Sequence, residues 1–564
     1  MKTEKNLNCV KPNSSSCCPS GNAVIKNPIL PGFNPDPCII RAGDDYYIAT
    51  SSFEWFPGVP IYHSRDLVNW ELSSYALKTR EYLDMTGEEA SKGVWAPCLS
   101  YCEADKRFYL IYSNVHCTNS WFFDVDNYLI WTDDINGEWS KPVYLNSSGF
   151  DPSLFHDDDG RKWLVNKDVD FRPGKEDDRS IVVQEFDVQK CCLIGNPVEI
   201  SRGATKRSFV EGAHIYKHNG TYYLITAEGG TGYGHCVTVM RSHSVTGPYE
   251  PDPKNPILTS AAWEFTASEA APYMMAELCN PLAGVQKAGH GSLVETQDGQ
   301  LYMAHLCGRP ILPQRRCYLG RETSIQKMTW TDDGWLRMAD GSNIAKAEAP
   351  APGLPEYTFP IEDPKCDFNN GHMSLHLCSP RNPVSPDWAD LTSRNGFLRL
   401  RGSESLTSRY NVSLVARRVT SFNAIAETKL EFSPERYHHM AGLTVYYNSN
   451  NHYAIYKTMD KDIGECVCAY SYSQDRVTAL CQPIKLNSGS DIWFRANIDG
   501  PSLILSYSEN GEEFTPISLD LDMTALADEY AHQMFTGSFV GIFAMDLHTR
   551  SKWADFDYFS YKNL

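Results

Sequence analysis

Long hydrophobic runs are missing from this 564-residue chain. None approaches the roughly 18 apolar residues that a membrane-spanning helix requires. The opening stretch, "MKTEKNLNCVKPNSSSCCPSGN", is polar throughout and lacks an apolar core for export. Paired zinc-ribbon cysteines are missing too. The 18 cysteines are scattered, with doublets at Cys17-Cys18 and Cys191-Cys192 and a Cys466-Val467-Cys468 triplet, but no C-x-x-C. A basic surplus is lacking: 70 acidic against 51 basic residues leave a net charge of −19. That balance excludes an electrostatic nucleic-acid binder. The expectation is a soluble cytoplasmic protein with reduced thiols, acting on a neutral partner without nucleic acid or membrane. Asn-x-Ser/Thr triplets at Asn13, Asn146, Asn219 and Asn411 are common by chance and carry no weight.

What the chain has in abundance is aromatic side chains: 31 Tyr, 24 Phe and 13 Trp. Aromatic wealth suits an all-β core, and pyranose C–H faces also pack on rings. Its length exceeds one hydrophobic core and suits two or three domains. One segment stands out, "GFNPDPCII" at 32–40, where Asp36 sits between two prolines ahead of an apolar strand. Each proline fixes its own φ and pushes its predecessor toward extended geometry, so Asp36 is held on stiff backbone. An isolated Pro-Asp-Pro reads as a turn.

The segment is not isolated. "DPCIIRAGDDYYIAT" at Asp36 has relatives at Ala96, Asp151, Glu211 and His290, each a short apolar strand, an Asp/Gly turn and an aromatic-rich second strand. Successive starts lie 60, 55, 60 and 79 residues apart. A unit of about sixty residues holding four short strands is a propeller blade. Five such units over about 26–345 make a closed ring, the other reading being a β-sandwich with chance hairpins. The long last interval contains 260–281, read as a loop insertion. In a propeller the innermost strands begin at the axis, so these five lead residues should converge. Gathered carboxylates repel, and at least one pKa should rise.

The ordered segments "NPILPGFNPDPCII", "GVWAPCLSY", "FDPSLFHDDDG", "VEGAHIYK", "TAEGGTGYGH", "QKAGHGS" and "LGRETSIQ", followed by "ESLTSRYNVSLVARR" and "FTGSFVGIFAMDL", resemble the β-xylosidases of glycoside hydrolase family 43. The likeness runs from about residue 26 almost to the end. It implies a five-bladed propeller that removes terminal β-1,4-linked xylose from xylo-oligosaccharides with inversion, and related members release α-L-arabinofuranose. Carried over by motif, Asp36 is the expected general base, Glu211 the general acid and Asp151 the carboxylate that orients and tunes Glu211 by keeping it protonated. An inverting enzyme holds its acid and base roughly 6.5–9.5 Å apart to admit water. Arg321 is expected to fork hydrogen bonds to sugar hydroxyls. Phe53 and Trp95 are expected on the pocket wall. His290 either lines the pocket floor or ligates a divalent cation; no organic cofactor is expected. The resemblance also implies a homo-oligomer, a dimer or tetramer. The sequence departs from the family's pattern in its polar tail (1–25), in the 260–281 insertion and at Cys98, where a histidine or another residue is expected.

Residues 346–364, "KAEAPAPGLPEYTFPIEDP", read as an extended linker. Beyond them, period-two segments such as "AIAETKLEF" separated by Asn/Gly turns predict a β-sandwich over 365–564. Alone, this is readable as a separate carbohydrate-binding module. The resemblance implies instead a jelly-roll-like domain that lends Phe535 to the active site, closing the pocket at one end and making the enzyme exo-acting.

Overall fold

A computed structural model describes residues 23–119, 122–175, 179–266, 274–487, 489, 491–517, 520–531 and 535–564. Most of the polar tail and the middle of the 260–281 insertion therefore lie outside the described residues.

Five antiparallel sheets, four of them four-stranded and the fourth blade five-stranded, stand around one axis, each built from a continuous piece of chain. Their innermost strands are Cys38–Ala42, Gly93–Cys102, Ser153–His156, Glu211–His218 and Gln286–Glu295. These are the five repeats read from the sequence, and in each the Asp/Gly turn sends the chain back into an aromatic-rich second strand. The chain start is tied to the ring's end: Val24–Lys26 pairs antiparallel with Glu348–Pro350. The Asn27 side-chain amide donates to Ile325 O and Lys346 O. The stretch read as a linker thus begins inside the propeller's seam.

The second domain stacks two sheets. In Asn423–Glu431 and Ile492–Asp499 buried and half-exposed residues alternate, as expected of strands with one face on a core. Phe539–Asp546 is buried at every position. Its second face lies against the propeller, where the Phe539 ring stacks on Trp55 with centroids 3.6 Å apart. A strand buried on both faces reads as a continuous apolar run, and "FVGIFAM" is one. Each such ring contributes roughly 1.5–3 kcal/mol by leaving water. Trp55–Phe56 also pairs with Ser379–Pro380, joining the domains through backbone hydrogen bonds. The sandwich shares a core with the propeller instead of hanging from a tether.

Among the described residues every cysteine is a free thiol, and no helix is long and apolar enough to cross a membrane.

Candidate active site

Each inner strand has, just before it or within its first five residues, a residue in the left-handed region. These are Asp36 (φ 54°), Ala96 (33°), Asp151 (53°), Gly212 (58°) and His290 (52°). Such a conformation costs a non-glycine residue about 1–3 kcal/mol and persists where surrounding structure enforces it. Three of the five side chains, those of Asp36, Asp151 and His290, line a single pocket. The fourth blade corrects the sequence alignment by one residue. Its left-handed position belongs to Gly212, where a Cβ would sit 2.9 Å from the His290 ring. Glu211 stands one residue earlier, across a register shift between Glu211 and His214. The glycine makes room, and the bulge brings the Glu211 carboxylate into the same pocket.

That pocket, about 420 Å³, is lined by all the residues expected from the sequence: Asp36, Asp151, Glu211, Phe53, Trp95, His290, Arg321 and Phe535. A larger cleft of about 880 Å³ runs between the domains beside Leu30, Phe359 and Arg417, but holds none of the three carboxylates.

Asp36 is buried and held from two sides. The Ser51 hydroxyl donates to Oδ2 at 2.7 Å, and Arg321 donates to Oδ1 at 3.1 Å. Ser51 is itself fixed, because its oxygen accepts from the Ala96 amide at 2.7 Å. Blade two, whose lead residue is Ala96, therefore supplies a backbone donor that fixes the hydroxyl holding the base. His290 Nδ1 lies 3.9 Å from Asp36 Oδ1, and burial holds this imidazole below its usual range.

Asp151 accepts from the Gly212 amide at 3.0 Å, which ties it to the peptide beside Glu211. Its carboxyl is pushed well above the ordinary range, by burial first and then by the negative charges of Glu211 and Asp36. Glu211 Oε2 accepts from the buried Lys167 ammonium at 3.1 Å. Lys167 comes from the second strand of the third blade, a partner that the hairpin repeats gave no reason to select.

Aromatic rings complete the walls. Phe535 stacks on Phe53 at 6.0 Å and meets Trp95 edge-on at 5.5 Å. The Arg321 guanidinium lies over both Phe53 and Phe535, 5.3 and 5.2 Å from their centroids. Its Nε is buried without a partner among the described residues. Phe123, Phe150 and Phe209 also line the pocket and were missed from sequence. Phe123 and Phe150 stack at 5.4 Å, and only ring closure of blades two and three brings them together.

Phe535 is the second domain's contribution. Its backbone is left-handed (φ 94°), and its amide donates to the buried Asp528 at 3.2 Å. A Cβ on Gly537 would lie 2.6 Å from Leu319 O, and one on Gly320 would lie 2.8 Å from Gly537 Cα. Two glycines back to back thus let the Phe535 loop reach the turn that carries Arg321, just before the strand Glu322–Trp330. Nearby, the Lys287 ammonium of blade five meets Glu529 of the sandwich at 2.6 Å, with both side chains buried.

The chemistry this arrangement offers is acid–base work on a small polar ligand held between rings, and comparison with known proteins agrees. The profile of "Glycosyl hydrolases family 43" matches residues 25–336, and that of "Beta xylosidase C-terminal Concanavalin A-like domain" matches 365–562. A "Beta-xylosidase" of Bacillus subtilis is 43% identical, over 95% of this chain and 99% of its own. "Xylosidase/arabinosidase 43B" of Humicola insolens is also 43% identical, over 95% and 97%. The crystal structure of a xylan beta-1,4-xylosidase from Bacillus halodurans superposes with a TM-score of 0.90 at 47% identity, covering 96% of this chain and all of that one. The propeller, its sandwich and the carboxylate-lined pocket between them place this chain in glycosyl hydrolase family 43.

Proposed function

We propose that the protein is an exo-acting, inverting β-xylosidase that removes terminal xylose from the non-reducing end of β-1,4-linked xylo-oligosaccharides. The observation that carries this reading is a carboxylate-lined axial pocket walled by Phe53 and Trp95 and capped by Phe535 from the second domain. A capped pocket admits a chain end and not a chain interior. Relatives that cover nearly the whole chain, and that are named for xylosidase activity, support the substrate class.

In this mechanism Asp36 is the general base. Ser51 and Arg321 hold its two oxygens, so a water beside it loses a proton as it attacks the anomeric carbon. Glu211 donates a proton to the departing glycosidic oxygen on the opposite face. Asp151, pushed up by burial and by the negative charges of Glu211 and Asp36, holds a proton beside the acid. Asp151 fixes the peptide that carries Glu211. Arg321, which lines the pocket, offers its guanidinium to a sugar hydroxyl. Water is the nucleophile, and no organic cofactor takes part.

Xylotetraose should yield only xylose and xylotriose at first, with no direct split into two xylobioses, and with the new xylose appearing as the α-anomer by NMR. Internal cleavage or an initial β-anomer would overturn the reading. A second reading, α-L-arabinofuranosidase activity in the same pocket, is favoured by the dual name of the Humicola relative. The ratio of rates on the two nitrophenyl glycosides separates them.

A further inference from the structure

Beneath the pocket the five inner strands form a second tier around the axis. Each member lies two residues past a left-handed entry: Cys38, Cys98, Ser153, His214 and Ser292. Blades one, two and four thus place two thiols and an imidazole on the axis. Their ligating atoms all lie within 4.8 Å of one another, and all three residues are buried. We propose that Cys38, Cys98 and His214 form a binding site for a single soft transition-metal cation of the zinc class, distinct from the sugar pocket above it.

Geometry carries this assignment. The Sγ atoms of Cys38 and Cys98 are 3.8 Å apart. Two thiolates on a tetrahedral zinc, each bonded at about 2.3 Å, stand roughly 3.7–3.8 Å apart. The sulfurs already have that spacing, and the imidazole needs a modest approach. Two thiolates balance a divalent cation, so the loaded site would be neutral, as a buried site must be. Cysteine and histidine select soft or borderline cations over calcium and magnesium.

Access comes from the far face of the ring. A cavity of about 440 Å³ opens there and is lined by all three residues together with Ser153 and Ser292. It supplies an entry path and room for a water as fourth ligand. Ser292 Oγ, 3.8 Å from Cys38 Sγ, is a protein oxygen that could take the same place. Binding would remove one proton from each thiol to solvent, form two metal–sulfur bonds and take one imidazole lone pair. Apart from Leu99 O, which takes the Cys38 thiol at 3.1 Å, no strong acceptor competes for these sulfurs among the described residues.

The cation would pin three blades whose inner strands are distant in sequence. It would lie just below the floor histidine, since the His214 and His290 rings are 6.5 Å apart. The site does not depend on the identity of the sugar.

Crystals of the full chain equilibrated with zinc chloride test the proposal by anomalous diffraction at the zinc edge. A peak within bonding reach of Cys38 Sγ, Cys98 Sγ and His214 is expected, and a map without one there overturns the assignment. In solution, cobalt(II) added to the reduced wild type should produce sulfur-to-cobalt charge-transfer absorption. Its stoichiometry should fall by one equivalent in Cys98→Ser and in His214→Gln. An undiminished stoichiometry in both variants overturns the site, and if a variant fails to fold, the wild-type map decides. Zinc should also raise the Tm of the wild type but not that of Cys98→Ser, and an equal rise in both counts against the assignment.

Discussion

The propeller and the sandwich meet the same pocket in opposite ways. The propeller supplies every charged group: the carboxylates and His290 from near the starts of inner strands, Lys167 from a second strand and Arg321 from the turn that leads into the third strand of blade five. The sandwich supplies one ring, Phe535, on a left-handed residue in an irregular loop. Charge must be placed rigidly, because a carboxylate that can turn away loses the proton-transfer geometry it exists to provide. Five-fold repetition of one strand entry gives that rigidity. An apolar lid needs only to be present and to fit, and a single loop anchored by two facing glycines is enough.

Substitutions on either side should separate these contributions. The largest loss is expected from Asp36→Ala, which removes the base and leaves Arg321 without its buried carboxylate. kcat/KM should fall by about 10²–10⁴-fold or more on every substrate, good leaving groups included. Glu211→Ala comes next and should discriminate. Xylobiose turnover should drop by about 10²–10⁴-fold, whereas an activated nitrophenyl xyloside, whose leaving group needs no proton, should suffer far less. Equal losses on both would remove Glu211 from the acid role.

On the sandwich side, Phe535→Ala should act on binding. Loss of one large apolar face is worth about 1–3 kcal/mol, or roughly a 5–150-fold rise in KM, with kcat changed less. If kcat collapses while KM stays fixed, the ring is doing something other than closing the pocket.

The smallest effect concerns pH. Asp151 has a raised folded-state pKa, so above the unfolded carboxylate value of about 3.9 the native state retains a proton that the unfolded chain has lost. Wild-type stability therefore declines as pH rises through that window. Asp151→Asn has no such proton to lose. It should match the wild type near pH ~4 and exceed it by about 0.5–2 kcal/mol at neutral pH in thermal melts. Removing the charge should also move the basic limb of the kcat/KM profile downward, because the pair no longer retains the proton by mutual repulsion. A limb that stays in place would deny Asp151 its tuning role.

The repeated strand entries made Asp36, Asp151 and His290 legible, since a hairpin's period and turn residues are local properties. Glu211 was found by motif although its alignment was off by one. The signal was the adjacent Gly212, the only residue type that fits against the His290 ring. Lys167 was not legible, because its pairing with Glu211 crosses between blades at a position where a lysine ordinarily points to water. Phe123, Phe150 and Phe209 were hidden in an aromatic-rich text where most rings are core. Phe535 came from resemblance alone, since nothing repeats around it. Cys98 was noticed as a departure from the family pattern, but its partners Cys38 and His214 lie 60 and 116 residues away and meet only on the closed axis.

The seam between Val24–Lys26 and Glu348–Pro350 bears on how the chain is made. Among the described residues no blade borrows a strand from the opposite terminus, so each can pair internally as it leaves the ribosome. The ring cannot lock until Glu348–Pro350 has emerged, and at about 5–20 residues per second that delay lasts on the order of a minute or less. Throughout it the flank of blade one waits for blade five, with the Ile39 amide lacking its Ser292 partner. Biogenesis, more than the finished fold, is where this architecture is most exposed to association with neighbouring nascent chains.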